Sequence, residues 1–199
     1  MVAVLPGGAR FVSGSYDCTA KLWTLDGALE RTFEVGSWVR CVAALPDGVH
    51  FVVGLENKEV RLYHVDGTLV HAFKGHTLNA RAVAVTPDGQ HIVSGSINKL
   101  VKVWRGPWPV THLVRTIEAH TNTVRALAVL PSGRRFISGS LDGTAKLWTF
   151  GGELERTFEV GSPVRCVAAL PDGVHFVVCL LYTSPSPRDA TLSRMPSSA

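Results

Sequence analysis

The sequence predicts an all-β chain, a partial (open) β-propeller of about four four-stranded antiparallel blades plus the first hairpin of a fifth. Three observations predict it. A turn proline recurs at Pro6, Pro46, Pro87, Pro131 and Pro171, at spacings of 40, 41, 44 and 40 residues. A glycine follows 8 residues after each of the first four (Gly14, Gly54, Gly95, Gly139), and an aromatic follows at 17 (Trp23, Tyr63, Trp104, Trp148). Each period divides into short apolar pieces separated by turn residues. A period in the low forties with several short strands is the mark of a propeller blade.

The units run about 1–38, 39–79, 80–123 and 124–163, with a partial unit at 164–178. The first starts late in its opening strand, because Met1 falls where Ala126 falls in the fourth. In the second, strands are expected at 39–45, 50–54, 59–64 and 68–73. Pro46-Asp47-Gly48 joins the first pair, with proline fixing φ and glycine taking a conformation that other residues resist. Asp66-Gly67 joins the last pair, a strong short hairpin signal, with Asp26-Gly27 and Gly151-Gly152 in the equivalent places. A strand such as Val39-Arg-Cys-Val-Ala-Ala-Leu45 is apolar on both faces, as a sheet held between two other sheets requires. In the third unit the longer spacing makes room for Arg105-Gly-Pro-Trp-Pro109. Trp108 there is either an exposed interaction knob or a cover for the blade edge. The fourth unit carries Ser138-Gly-Ser-Leu-Asp-Gly-Thr-Ala-Lys-Leu-Trp148, with Glu118-Ala-His-Thr121 upstream.

A longer repeat lies above these. Residues 29–53 and 154–178 are identical except for Trp38 against Pro163, at an offset of 125. The copy stops after Val178, in mid-strand. The C-terminal stretch 179–199 is rich in Ser and Pro and has no period, so it is expected to be a disordered tail that is not native to the array. The whole reads as a piece of a longer array.

At 46% apolar and 18% charged residues, the 199-residue chain is not globally disordered, and no apolar run reaches the length of a membrane span. The net charge of +4 is mild, and the Lys and Arg are spread through the repeats. That argues against nucleic acid and leaves room for an acidic partner. The cysteines (Cys18, Cys41, Cys166, Cys179) contain no Cys-x-x-Cys pair and read as small buried apolar residues in a reducing compartment, hence an intracellular, cytoplasmic or nuclear, location.

These residues resemble the WD-repeat (WD40) β-propeller family over about residues 1 to 178. The family's motif has Gly-His before the first strand, Ser-Gly-Ser on the second, Asp in the next turn and Trp-Asp ending the third. The resemblance implies that His, Ser, Asp and Trp form a buried hydrogen-bond chain. The fourth unit carries all of it as His120, Ser138, Asp142 and Trp148. The third has His76, Ser94 and Trp104, with Asn98 in place of Asp. The first keeps Ser13, Asp17 and Trp23. The second has Gly36, Val53, Asn57 and Tyr63, so its polar chain is largely gone. The second residue of Trp-Asp is absent throughout, being Thr24, His64, Arg105 and Thr149.

Ser, His and Asp invite a catalytic reading, but a nucleophile also needs an adjacent base, an oxyanion hole and a pocket. Here the types recur once per unit beside a Trp, as packing elements do. His50 and His175 have no metal-ligand spacing, and no phosphate loop or paired carboxylate stands out. No catalytic residue, metal or cofactor is therefore expected.

Two sets of residues are candidates for a partner. The resemblance places Tyr16, Ile97 and Leu141, each just before the turn Asp or Asn, on one rim with Trp38 and Leu78. They are either interface anchors or tucked against neighbouring blades. Arg40, Arg81, Arg125 and Arg165 repeat at one position near the start of the channel-lining strand. They form either a partial ring of charge for an acidic or phosphorylated peptide, or a set of locally paired or solvated side chains. The expected function is a non-catalytic scaffold that docks peptides or proteins on the rims. The alternative is the non-catalytic arm of a larger enzyme, or of a ubiquitin-handling or signalling protein. The isolated chain is expected to self-associate through apolar sheet faces left without neighbours.

Overall fold

The computed structural model describes residues 1–106 and 112–180, together with the backbone of 191–194. The first sheet is β1 (Val2–Val4), β2 (Arg10–Gly14), β3 (Thr19–Thr24) and β4 (Leu29–Glu34), and the second is β5 (Val39–Ala44), β6 (His50–Leu55), β7 (Val60–His64) and β8 (Leu69–Phe73). The third comprises β9 (Ala80–Val85), β10 (His91–Ser96), β11 (Leu100–Arg105) and β12 (His112–Glu118). The fourth comprises β13 (Val124–Val129), β14 (Arg135–Ser140), β15 (Thr144–Thr149) and β16 (Leu154–Glu159). Each is an antiparallel meander in chain order. A fifth sheet pairs β17 (Val164–Ala169), β18 (His175–Leu180) and β19 (Thr191–Arg194).

The burial pattern explains the stacking. The second strand of the middle sheets is buried almost end to end, as in Phe51–Leu55 of β6 and Ile92–Ser96 of β10. The fourth strand buries at most one residue, such as Phe33 in Leu-Glu-Arg-Thr-Phe-Glu. Apolar residues therefore gather between sheets and not within one. Phe33 of the first sheet packs edge-on against Phe51 of the second, with ring centroids 4.9 Å apart. Further clusters join the second and third sheets through Phe73 and Trp104, the third and fourth through Val101 and Phe136, and the fourth and fifth through Leu147 and Phe176. Each core layer is shared by two neighbours. The array is consequently an open propeller stabilised interface by interface.

The inner strands β1, β5, β9, β13 and β17 contact one another in succession and all line one central cavity. The first hairpin of the second sheet turns at Gly48, whose φ of 73° lies in the left-handed region that glycine enters without strain. A regular irregularity marks the inner edge. β5 pairs Val39 with Leu55 and then Cys41 with Gly54, so Arg40 is the extra residue of a bulge. Arg81, Arg125 and Arg165 are passed over in the same way in β9, β13 and β17.

Part of the stretch 179–199 lies within the described residues. Cys179 and Leu180 complete β18, and Thr191–Arg194 pair along its outer edge, with His175 opposite Arg194 and Val178 opposite Thr191. The physical reason is the open edge of β18, whose backbone N–H and C=O groups accept any strand that can reach them.

Candidate functional site

The fourth sheet shows what the recurring polar residues do. The Trp148 indole N–H donates to Ser138 Oγ at 2.8 Å, and Ser138 Oγ meets His120 Nε2 at 2.7 Å. His120 Nδ1 lies 2.9 Å from Asp142 Oδ2, which also accepts the Thr121 N–H at 3.0 Å. Asp142 Oδ1 accepts from the Thr144 N–H and hydroxyl at 3.0 and 2.7 Å. Burial pushes the Asp142 carboxyl up, but the Thr144 bond, the charge of His120 and the Thr121 N–H together hold it below its ordinary value. Burial likewise lowers His120. The His120 ring thus bridges Ser138 and Asp142, and the loop is pinned to the strand.

The other units depart from this in graded steps. In the third, Trp104 and His76 meet Ser94 Oγ at 2.9 and 2.8 Å. Asn98 instead donates to Thr77 Oγ1 at 3.1 Å, and the buried His76 Nδ1 has no hydrogen-bond partner. Burial, with Lys102 nearby, lowers His76 to about 4. In the first, Trp23 donates to Ser13 at 2.8 Å and Asp17 accepts from the Thr19 N–H at 2.9 Å. In the second, aromatic packing of Phe33 against Tyr63, with centroids 5.8 Å apart, replaces the polar chain. The positions where the motif would have its final Asp are used locally. Thr149 Oγ1 accepts the Glu153 N–H at 3.2 Å across the hairpin, and His64 Nδ1 accepts the Asp66 N–H at the same distance. His50 and His175 bind Asp47 and Asp172 of their own turns at 2.7 and 2.6 Å.

The rim residues divide. Tyr16, Trp38 and Leu78 are 55%, 46% and 43% exposed, whereas Ile97 and Leu141 are half-buried. Tyr16 and Trp38 belong to adjacent sheets and stack face to face, with centroids 5.5 Å apart at an interplanar angle of 22°. The Arg40 guanidinium lies over both rings, at 4.5 Å from Tyr16 and 5.1 Å from Trp38, and is hydrogen-bonded to Glu56. Sequence reasoning missed Glu56 and this stacking. The one available signal was Trp38 itself, the single difference between two otherwise identical 25-residue blocks, 29–53 and 154–178.

All four arginines line the central cavity, which encloses about 760 Å³. Only Arg40 has a carboxylate partner among the described residues. Trp108 lies outside the described residues. Among the described residues no three His, Cys, Asp or Glu side chains are grouped to hold a metal ion, and no helix is long and apolar enough to cross a membrane.

The chain matches the family model described as WD domain, G-beta repeat, over residues 2–24, 27–64, 67–105 and 111–149. No curated protein matches it.

Proposed function

The chain belongs to the WD-repeat family, whose domains serve in general as protein-interaction scaffolds, and from that premise we propose that it docks a peptide or protein on the Tyr16–Trp38–Leu78 rim without catalysis. The exposed aromatic stack carries the reading. Two large rings are held parallel by Arg40, and Arg40 is fixed in turn by Glu56. A side chain that docks there meets a surface already ordered, so little rotamer entropy is lost on binding. Leu78, exposed in the loop before β9, is the apolar residue that the next unit presents ahead of its inner strand.

The burial of the polar quartet supports a non-catalytic role. The His120 side chain is fully buried, and Ser138 is likewise inaccessible. Both spend their hydrogen bonds on partners within the blade. A substrate would have to displace the core to reach them.

The test uses peptides selected by display against the full chain. Trp38→Pro installs the residue that Pro163 provides in the copied block, so the backbone tolerates it. Selected peptides are expected to lose tenfold or more in affinity for Trp38→Pro and Tyr16→Ala. They should retain affinity for Leu69→Ser, a change on an outer strand. Unchanged affinity in both rim variants, with the melting temperature preserved, overturns the reading.

A further inference from the structure

We propose that the mouth of the central cavity is a binding site for a compact multivalent oxyanion of the pyrophosphate class, held by Arg81, Arg125 and Arg165. These side chains come from three successive inner strands, and each is the extra residue of a bulge. A bulge re-aims one side chain out of the pleat. Repeated about a common axis, it delivers one guanidinium per sheet to the same space. Ser15 and Tyr16 add a hydroxyl and an aromatic wall.

The charge there is unbalanced. The cavity lining includes no Asp or Glu. Glu56 is paired with Arg40 and also feels the charge of Arg81, while Arg81, Arg125 and Arg165 make no direct ion pair with a carboxylate among the described residues. Arg81 Nε is buried without a hydrogen-bond partner. Arg125 is held below its ordinary value by burial and by the charges of Arg81 and Arg165 beside it. Guanidiniums converging on one space with unused donors match an anion that can accept forked bonds from several sides. Their arrangement around an axis selects a compact ligand whose charges point outward. A linear acidic peptide presents its charges along one edge and meets only part of the ring. The cavity of about 760 Å³ lies within the size range of small-molecule sites.

The experiment is calorimetric and thermal titration of the full chain with pyrophosphate, orthophosphate and sodium chloride at matched ionic strength. Pyrophosphate is expected to bind at least tenfold more tightly than orthophosphate. A hundredfold excess over its Kd should raise the melting temperature by roughly 5–10 °C. Arg81→Gln and Arg125→Gln each lose tenfold or more in affinity, and Arg125→Lys, which keeps charge but not the fork, falls between. Without ligand, Arg125→Gln melts at or above the parent temperature, because one of several repelling charges is gone; that separates loss of binding from loss of fold. The exposed Arg134→Gln changes nothing, and Trp38→Pro leaves pyrophosphate affinity intact, so this site and rim docking succeed or fail separately. An equal shift with sodium chloride overturns the proposal. So does undiminished binding in both glutamine variants, or tighter binding of a hexaglutamate peptide than of pyrophosphate.

Discussion

His76 and His120 occupy the same place in successive sheets, but the groups facing Nδ1 differ: Asn98 and Leu100 stand in the third where Asp142 and Thr144 stand in the fourth. His120 Nδ1 faces a carboxylate, whereas His76 bonds Ser94 through Nε2 and its buried Nδ1 has no hydrogen-bond partner. An unmet buried group costs about 1–3 kcal/mol. Asp142→Ala removes the carboxylate and leaves only Thr144 Oγ1, 3.1 Å from His120 Nδ1, and is expected to cost roughly 1–3 kcal/mol. Asn57→Ala, in a unit without the polar chain, should cost well under 1 kcal/mol by the same reasoning. Calorimetric melts of the two variants check the difference. His76 also sets a pH dependence. Burial places its folded value at about 4, below the ordinary 6.5, so the unfolded chain takes up a proton first as the pH falls. Its contribution is complete above pH 6.5 and is lost as the pH falls toward 4, amounting to at most about 3 kcal/mol. Asn98→Asp supplies the missing acceptor, favours the imidazolium, and should both raise stability at pH 7 and shrink the acid loss. Urea denaturation at pH 7 and pH 5 measures both. The residue types of the quartets were legible in the sequence because they recur in register. The orphaned nitrogen was not, because an Asn at that position can turn either way and only packing fixes its partner.

At the scale of the strand, the glycine that follows each turn proline by eight residues explains how closely sheets approach. A Cβ at Gly139 would stand 2.4 Å from Val164 Cγ1, and one at Gly14 would stand 2.4 Å from Val39 Cγ1. The second strand of one sheet is thus pressed against the first strand of the next at a point where no side chain fits. Gly139→Ala should force the fourth and fifth sheets apart at a cost of about 1–3 kcal/mol, as overpacking does. Gly151→Ala is the control, since its Cβ would meet only Thr149 Oγ1, at 3.4 Å. Denaturation midpoints with an unchanged m-value for both variants test this. The sequence displayed these glycines as a period but not their purpose. The neighbour that forbids a methyl lies on another sheet, some 25 residues along the chain at Gly14 and Gly139 alike. The bulges at Arg40, Arg81, Arg125 and Arg165 were hidden for the same reason. A bulge is a property of two strands paired, and no residue type announces it.

At the scale of the molecule, every apolar layer is shared between two sheets, so a sheet face without a neighbour is an unsatisfied interface. Met1, Val2 and Val4 of the first sheet are 45%, 62% and 57% exposed. Faces of this kind associate. Light scattering across a concentration series is expected to show mass growing with concentration, and Val2→Glu together with Val4→Glu should reduce it. A monomer at all concentrations would remove the argument. The sequence by itself determined the architecture. Strand length, turn chemistry and the alternation of buried and exposed residues are written within some forty residues and then repeated, so each unit reports on the others. Only the tertiary structure decided the surfaces proposed for binding. The Tyr16–Trp38–Arg40 stack, the convergence of Arg81, Arg125 and Arg165, and the strand added to β18 all join groups from different sheets or distant segments. Their proximity comes from wrapping successive sheets about one axis, a distance relation that no local pattern of residues encodes.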